Sequence, residues 1–195
     1  MKRIFDIVVS SLILLLFLPF GILISILIAV SSRGGVFYIQ QRVGKDQQQF
    51  GLFKFRTMAV NADKSGKLTV GMRDSRITAV GFFLRKYKLD EFPQFINVLS
   101  GTMSIVGPRP EVQEYVAMYT DLELEVLKVK PGITDLASLE YFNENDLLGS
   151  AKDPQKTYIE EVMPAKLALN KKYIANSSLG ADLKIIWRTA KKIMS

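Results

Sequence analysis

The residues best suited to chemistry lie between positions 88 and 110. Two adjacent carboxylates, Asp90 and Glu91, open this stretch, and Arg109 closes it between two prolines. Because proline fixes its own φ and restricts the residue before it, these prolines hold the guanidinium on a nearly rigid, extended backbone. Such a guanidinium suits a phosphate or a carboxylate. An ionised carboxylate suits a nucleophile or a metal ligand.

The same carboxylates also have a purely structural interpretation. Asp90 is a typical N-cap for a helix predicted over residues 91–99, and Glu91 favours the positive end of that helix. Pro93 fits its first turn. The two interpretations are compatible, since a carboxylate at a helix start is well placed to be ionised.

Composition narrows the chemistry. The 195 residues include no Cys and no His, which excludes thiol catalysis, disulfides, a histidine general base and the usual zinc sites. Any acid-base or metal chemistry therefore uses Asp, Glu, Lys, Arg or Tyr. A carboxylate-bound metal is expected to be a hard ion such as Mg²⁺.

Positive charge is concentrated in the first part of the chain. Residues 1–110 carry fifteen Lys and Arg against six Asp and Glu, whereas residues 111–195 carry eleven against thirteen. An anionic partner is therefore expected at the first part. Membrane phosphates, nucleotides and nucleic acid all remain open on this ground alone.

Residues 7–32 form an uncharged segment dominated by Leu, Ile, Val and Phe. It exceeds the roughly 20 residues that a helix needs to cross a bilayer, so it is predicted to enter a membrane. Pro19 removes a helical hydrogen bond in its middle. This predicts a kink with two legs of about 22 Å, each too short to cross about 30 Å of hydrocarbon.

Basic residues flank both ends of the apolar segment, which favours a cytoplasmic position for both flanks. They are Lys2, Arg3, Arg33, Arg42 and Lys45. A straight span cannot satisfy both flanks, whereas a bent helix that enters and leaves the same leaflet can. The sequence therefore favours a membrane-embedded, re-entrant helix over residues 1–33, kinked at Pro19, with an ordinary span as the alternative. Residues 34–195 are predicted to form a cytoplasmic catalytic domain.

The elements that position the carboxylates are expected to form a mostly helical α/β body with few short strands. A strand is predicted over residues 36–40. Residues 50–58 alternate aromatic and basic side chains, which places Lys54 and Arg56 on one face, either to meet phosphate or to form the polar side of an edge strand. Residues 61–74 are polar and contain Gly, which predicts a mobile loop.

Helical patterns dominate the rest of the chain. They cover residues 77–87, 111–119, 122–129, 158–173 and 182–194. Arg85 ends the first of these helices, where it either completes the helix or balances a substrate's charge beside Asp90. The last is basic and amphipathic and contains Trp187, so it lies in a membrane interface or packs on the core. Residues 136–148, which include Tyr141 to Leu148, show no clear pattern; a loop that shapes a pocket is expected.

Four motifs follow the apolar segment in order: KFRTM at 54–58, LDEFPQFINVL at 89–99, MSIVGPRP at 103–110 and KPGIT at 130–134. Together they resemble the bacterial sugar transferases, the small monotopic phosphoglycosyl transferases that act on polyprenyl phosphate. The resemblance covers nearly the whole chain. It implies a catalytic domain on the cytoplasmic face of the bacterial inner membrane, anchored by a re-entrant helix and touching the bilayer through amphipathic helices.

The resemblance also implies a reaction. A sugar phosphate would pass from a UDP-sugar to polyprenyl (undecaprenyl) phosphate in the presence of Mg²⁺, giving polyprenyl-diphospho-sugar and UMP. Asp90 would be the nucleophile that forms a phosphosugar-aspartyl intermediate, as well as a Mg²⁺ ligand, with Glu91 as its dyad partner. The cations expected to bind the phosphates are Lys54, Arg56, Arg85 and Arg109. The product would initiate exopolysaccharide, capsule, O-antigen or glycoprotein glycans, so downstream glycosyltransferases are expected partners and nucleic acid is not.

Three positions depart from the usual pattern of that family. Leu18 precedes Pro19 where many members have Ser, so no hydroxyl is available for the carbonyls that the proline frees. Thr102 stands where Asp is common, so no metal role is assigned to it. After Thr134 the chain reads DLASLE rather than GWAQVNG. A different sugar pocket is therefore expected, and the sugar is not named.

Two alternatives to this reaction are open. The first is a non-catalytic, membrane-tethered module that binds anionic lipid or nucleic acid through the basic first part of the chain. The second is a transferase that uses one direct step. That enzyme would form no covalent adduct.

Overall fold

The computed structural model describes residues 1–32, 34–60, 62 and 74–194. Within these residues the chain is mostly helical with few short strands, as predicted. The α-helices are α1 (Lys2–Ser31), α2 (Ala79–Lys86), α3 (Gln94–Ser100), α4 (Gln113–Val116), α5 (Leu136–Glu140), α6 (Glu144–Ser150), α7 (Pro154–Thr157), α8 (Met163–Ala175) and α9 (Leu179–Met194). Short 3₁₀ turns cover Lys45–Gln47, Leu89–Glu91 and Leu124–Lys128, and a π-helical turn, Tyr158–Val162, leads into α8.

An antiparallel hairpin forms the first sheet. Its strands are β1 (Phe37–Val43) and β2 (Gln49–Phe55), which confirms the strands predicted in this region. Asn97 of α3 ties the hairpin to the helical body: its Oδ1 accepts from the backbone of Phe53 at 2.9 Å, and its Nδ2 donates to Gly51 at 2.8 Å. The amide of one side chain thus satisfies two backbone groups on the open edge of β2.

A short parallel pair leads into the proline-flanked arginine. Its strands are β3 (Ser104–Val106) and β4 (Gly132–Thr134). The two backbones approach closely just past β3, where a Cβ on Gly132 would lie 2.1 Å from the backbone nitrogen of Gly107. Only glycine fits such an approach, so this contact fixes the path by which the chain enters Arg109.

Buried apolar side chains form three clusters, and α1 contributes buried residues to the third and partly buried residues to the second. The first joins β1 to the C-terminal helices and contains Val43, Val116, Val126, Leu127, Leu148, Tyr158, Val162, Met163 and Leu167. The second lies around β2, β3 and α3 and contains Leu52, Val98, Met103, Ile105, Val106, Leu139, Tyr173 and Ile185. The third contains Ile24, Ile28, Phe55 and Leu84. The apolar N-terminal helix is therefore packed into the body.

Polar contacts fix the N-terminal end of α1. Asp6 is buried and accepts hydrogen bonds from a hydroxyl and a backbone N–H of β3, at 2.8 and 3.2 Å. Lys2 forms an ion pair with the buried Asp182 of α9. Arg3 donates to two carbonyls at the C-terminal end of α3, at 2.5 and 2.9 Å. These charged residues precede the apolar segment in the sequence, and in the structure they anchor the helix to the body.

The rest of α1 contacts the body along one side. Phe17 stacks on Phe92, with ring centroids 3.8 Å apart, and Ile24 and Ile28 pack near Phe55. The other side exposes Leu12, Leu15, Leu16, Leu18, Phe20, Ile22, Leu23, Ile26, Leu27 and Val30. Among the described residues α1 is the one helix long and apolar enough to cross a membrane, with a mean hydropathy of 3.0. This is compatible with membrane association.

Pro19 lies inside α1, which is continuous over 30 residues. A straight helix of this length would measure about 45 Å. The kink at Pro19 and the re-entrant path stay predictions. Arg33 and all but two residues of the loop predicted over 61–74 lie outside the described residues.

Predictions for three segments in the central part of the chain are wrong. Residues 136–148 form α5 and α6 instead of a loop, because the carboxylate of Asp135 caps α5 by accepting from the backbone of Ser138 at 2.5 Å. Residues 111–119 are helical over a single turn, since the first of them bridges to β1 in extended backbone. The segment 122–129 forms a 3₁₀ turn.

Helix α9 packs on the body through the side that carries Ile185 and Thr189. Ile185 is buried, and the hydroxyl of Thr189 lies 2.7 Å from that of Thr134 on β4. Trp187 is 70% exposed, and Leu183 is about half exposed. The tryptophan therefore points away from the core. Its placement in a membrane interface stays a prediction.

Candidate active site

The adjacent carboxylates lie in a tight turn between α2 and α3. Lys88 follows α2 with a φ of 55°, in the left-handed region. Asp90 and Glu91 then occupy the 3₁₀ turn Leu89–Glu91. Helix α3 begins only after Pro93, which takes the cap position. The interpretation of Asp90 as the cap of this helix is therefore wrong.

Glu91 is held by two cations from separate parts of the chain. Arg109 donates to both carboxylate oxygens, with a distance of 3.1 Å from Nη1 to Oε2 and a shorter contact from Nη2 to Oε1. Lys54 on β2 donates to Oε1 at 3.4 Å. Burial alone would raise the pKa of Glu91, but the attraction of Arg109 and Lys54 outweighs it and holds the pKa well below its ordinary value. Glu91 is therefore ionised and its charge is compensated.

Asp90 is buried, with 7% of its surface exposed. It lines a cavity of about 470 Å³, called the larger cavity below. Within the described part of the chain its carboxylate makes no hydrogen bond or ion pair. Burial and the neighbouring charge of Glu91 raise its pKa, while Lys54 and Arg85 oppose that rise. Of the two adjacent carboxylates, Asp90 is thus the one with oxygens available to a ligand.

Lys54 and Arg85 approach Asp90 from different elements. Burial lowers the pKa of Lys54, although the charge of Glu91 opposes that effect. Arg85, at the end of α2, donates from Nε to Thr57 Oγ1 at 2.9 Å, and burial lowers its pKa too. Both side chains line the same cavity as Asp90. The structure therefore brings these two predicted phosphate ligands to the carboxylate.

Three further arginines line this cavity, and one of them, Arg42 on β1, is paired with Glu111 at 3.3 Å. Arg56 donates to the carbonyls of Gly35 at 2.9 Å and Phe37 at 3.1 Å, so it also ties β2 to the start of β1. Arg76, which sequence reasoning missed, is paired with Asp74 at 2.6 Å. The signal for this pair was weak, because two opposite charges two residues apart in a polar stretch are typical of any surface loop.

Arg109 is positioned by its backbone as well as by Glu91. Its N–H donates to the buried carboxylate of Asp135 at 3.0 Å, and Asp135 also caps α5. The neighbouring carbonyl of Pro108 accepts from Gly132 at 3.0 Å. Sequence reasoning noted Asp135 only as a departure from a family pattern. An Asp directly before the apolar LASL run is an N-cap signal that predicts at least the start of α5.

The larger cavity has a volume of about 470 Å³. Its lining includes Asp90 and five cations, Arg42, Lys54, Arg56, Arg76 and Arg85. Cavities of about 300–1,000 Å³ are typical of small-molecule sites. A basic cavity of this size suits a compact anion such as a nucleoside diphosphate better than it suits a nucleic acid duplex, which needs an open basic surface.

No group of three or more acidic, His or Cys side chains that could hold a metal occurs in the described residues. The oxygens of Glu91 are occupied by Arg109 and Lys54, so Asp90 is the carboxylate of the adjacent pair that is available at this cavity, which Glu114 also lines. Mg²⁺ commonly binds through one or two carboxylates together with substrate phosphates. The residues present fit a magnesium ion held in that way.

Fold and site together define a class of protein: a small, mostly helical body packed on a long apolar helix, with an available carboxylate in a basic cavity. The profile of the family described as bacterial sugar transferase matches residues 1–195. The chain belongs to this family. The resemblance drawn from the four motifs is thereby confirmed.

Similar curated proteins carry related names. The chain is 39% identical over 195 residues to a UDP-glucose:undecaprenyl-phosphate glucose-1-phosphate transferase of Klebsiella pneumoniae, covering 98% of this chain and 39% of that protein. It is 35% identical to a UDP-N-acetylgalactosamine-undecaprenyl-phosphate N-acetylgalactosaminephosphotransferase of Aeromonas hydrophila, covering 100% of this chain and 44% of that protein. It is 36% identical to the exopolysaccharide production protein ExoY of Rhizobium meliloti, covering 96% and 83%. The chain thus spans about two fifths of the length of the first two relatives.

Proposed function

We propose that this chain transfers a sugar 1-phosphate from a UDP-sugar to a polyprenyl phosphate such as undecaprenyl phosphate. The observation that carries this proposal is the difference between the two adjacent carboxylates. Both oxygens of Glu91 accept hydrogen bonds from cations, whereas Asp90 has no hydrogen bond among the residues that the structure describes and lines a basic cavity. The names of the relatives supply the substrate class, a UDP-sugar and a lipid phosphate.

The proposed reaction has two steps with Asp90 as the nucleophile. A carboxylate oxygen attacks the phosphorus that bears the sugar, the bond from that phosphorus to the bridging oxygen breaks, and UMP leaves with that oxygen. An oxygen of the polyprenyl phosphate then attacks the same phosphorus, and the Asp90 carboxylate leaves. A covalent carboxylate intermediate lets two dissimilar substrates use one site in turn. Mg²⁺, when bound at Asp90, would neutralise and orient the phosphates.

The surrounding cations have separate roles in this proposal. Lys54 and Arg85 stand at the cavity beside Asp90, where they stabilise the negative charge of the transferring phosphate. Arg109 and Lys54 neutralise Glu91, which would otherwise repel both its neighbour and the incoming diphosphate. Arg56 is the remaining nominee for phosphate, through the part of its guanidinium that lines the cavity.

We also propose that α1 is re-entrant and that the body lies on the cytoplasmic side of the inner membrane. Both ends of α1 contact the same body, through Asp6 at one end and Ile28 at the other. A helix that crossed the bilayer would separate its two ends by about 30 Å of hydrocarbon. The exposed Trp187 of α9 and the exposed side of α1 would then face the lipid.

The first experiment measures UMP release by the full chain in detergent, with undecaprenyl phosphate and Mg²⁺. The donors are UDP-glucose, UDP-galactose and UDP-N-acetylgalactosamine, because relatives are named for these sugars. Asp90→Asn is expected to abolish release, and EDTA is expected to do the same. Asp121→Asn, the same change at an exposed aspartate, is the matched control and should leave activity unchanged.

A second measurement tests the two-step route. The protein is mixed with the active UDP-sugar alone and its intact mass is recorded. A gain equal to one phosphosugar, absent in Asp90→Asn, supports the intermediate. Sustained turnover without any gain would favour the one-step transferase. Absence of UMP release with all donors would instead favour the non-catalytic module that binds anionic lipid or nucleic acid.

A further inference from the structure

A lysine in the turn that carries the two carboxylates contacts an aromatic ring from a distant part of the chain. The ammonium group of Lys88 lies 5.3 Å from the ring centroid of Phe142, and that of Lys192 lies 5.4 Å from the same centroid. Phe142 lies between α5 and α6, in the segment whose role the sequence did not reveal, and Lys192 lies on α9. One ring thus links the catalytic turn to the C-terminal helix.

The backbone of Lys88 needs such support. Its φ of 55° is in the left-handed region, which is unfavourable for a residue with a Cβ. Its N–H donates to Arg85 at 3.1 Å, and its carbonyl accepts from Glu91 at a long 3.4 Å. The backbone bonds alone therefore hold this turn weakly. The attraction between the ammonium and the ring adds a contact that favours the observed conformation.

The charge of Lys88 also reaches the carboxylates. Burial acts to raise the pKa of both carboxylates, Asp90 and Glu91. The positive charge of Lys88 is among the contributions that act to lower both pKa values. Lys88 is not among the residues that line the larger cavity, whereas Lys54 and Arg85 are. It therefore acts on Asp90 from behind the turn and is not a direct ligand for the donor.

We propose that Phe142 is a positioning residue for the transfer reaction, acting through Lys88 to hold Asp90 at the cavity. This inference rests on the proposed function, since it assigns Phe142 a role in the attack by Asp90. Lys192 fixes the other end of the link: it donates to the carbonyl of Leu139 at 2.6 Å, at the end of α5. The ring is thereby held between the catalytic turn and α9.

The test compares variants that differ in the aromatic face while keeping a similar volume. Phe142→Leu removes the face, Phe142→Tyr keeps it, and Lys88→Met removes the ammonium. The measurement is the first-order rate constant of UMP release in a single turnover with the active UDP-sugar. This constant does not depend on the fraction of protein that is folded. Lys86→Met is the matched control, because Lys86 lies 5.4 Å from the Tyr87 ring on the exposed end of α2.

Phe142→Leu is expected to lower the rate constant about threefold to tenfold, with the KM for the donor unchanged within about twofold. Phe142→Tyr should restore the native rate within about twofold. The double variant of Lys88→Met and Phe142→Leu should be no slower than the slower single variant, because both remove one contact. A native rate in Phe142→Leu, a Tyr variant as slow as the Leu variant, or multiplicative losses in the double variant would overturn the proposal.

A second readout does not require activity. Amide hydrogen exchange is followed on the peptide that spans residues 88–92. We expect faster exchange in Phe142→Leu and native exchange in Phe142→Tyr and Lys86→Met. If the native protein released no UMP from any donor, the proposed function would fail, and this exchange pattern would still decide whether the ring holds the turn. Equal exchange in all variants would reject that contact.

Discussion

Replacing Arg109 by Lys isolates the two-pronged contact with Glu91. The guanidinium donates to both carboxylate oxygens, and Lys54 shares one of them. An ammonium at position 109 keeps the positive charge but can donate to only one oxygen at a time. Glu91 is therefore expected to lose one charge-assisted hydrogen bond and its fixed orientation beside Asp90.

The expected magnitude follows from the exposure of the two partners. A hydrogen bond to a charged group contributes about 1.5–3 kcal/mol. The side chains of Arg109 and Glu91 are 31% and 15% exposed, so the lower end of that range applies. A loss of about 1.5 kcal/mol corresponds to roughly a tenfold fall in kcat/KM. We expect Arg109→Ala to cost about 3 kcal/mol of stability, because it removes both hydrogen bonds from Arg109 while Glu91 keeps its contact with Lys54.

The assays are steady-state UMP release and chemical unfolding in detergent, both at low ionic strength. The matched control is Arg188→Lys, since Arg188 pairs with Glu140 at 3.3 Å while both side chains are about half exposed. That change should alter stability by no more than about 0.5 kcal/mol. If Arg109→Lys and Arg188→Lys had equal effects in both assays, the two-pronged contact could not be what orients Glu91.

Three further predictions concern stability, measured as the free energy of unfolding in detergent. Asp6→Ala removes the acceptor for two hydrogen bonds from β3 and should lower the free energy of unfolding by about 2 kcal/mol. A decrease of less than about 0.5 kcal/mol would contradict the anchoring role of Asp6. The pKa of Glu91 is lowered on folding from 4.5, so its contribution is complete above that pH and is lost as pH falls further. The stability that Glu91 contributes relative to Glu91→Gln should therefore shrink as the pH falls below about 4.5, and a difference that grew there would be inconsistent with the lowered pKa. Gly132→Ala should cost about 3 kcal/mol or more, because its Cβ would meet Gly107, whereas Gly180→Ala has open space and should be neutral or stabilising.

Local patterns predicted most of the secondary structure. The apolar run gave α1, and periodic segments gave α2, α8 and α9, because the spacing of apolar residues is a property of the local chain. The sequence left open whether the apolar side of α9 meets the core or a membrane interface, since amphipathicity shows that a helix has two sides but does not show which neighbour each side meets. Trp187 lies outside while Ile185 lies inside.

Charged partners were the least predictable feature. Asp6 and Lys2 bind residues about 100 to 180 positions away, and such pairs depend on the finished topology. The proline-flanked sequence suited the guanidinium of Arg109 to a phosphate or a carboxylate, and the resemblance favoured phosphate. In the structure the guanidinium contacts Glu91. Two buried carboxylates repel each other unless one of them is neutralised, and the sequence does not show which cation neutralises which carboxylate.

The manner in which α1 joins the body bears on how this protein can be handled. Its inward side covers Phe55, Leu84 and Phe92, and its first turn supplies Asp6 to β3. A truncation that begins after residue 32 would leave that apolar patch uncovered, so it should yield precipitate instead of a soluble enzyme. A water-soluble form is better sought by exchanging the outward leucines of this helix for polar residues while leaving its inward stripe intact.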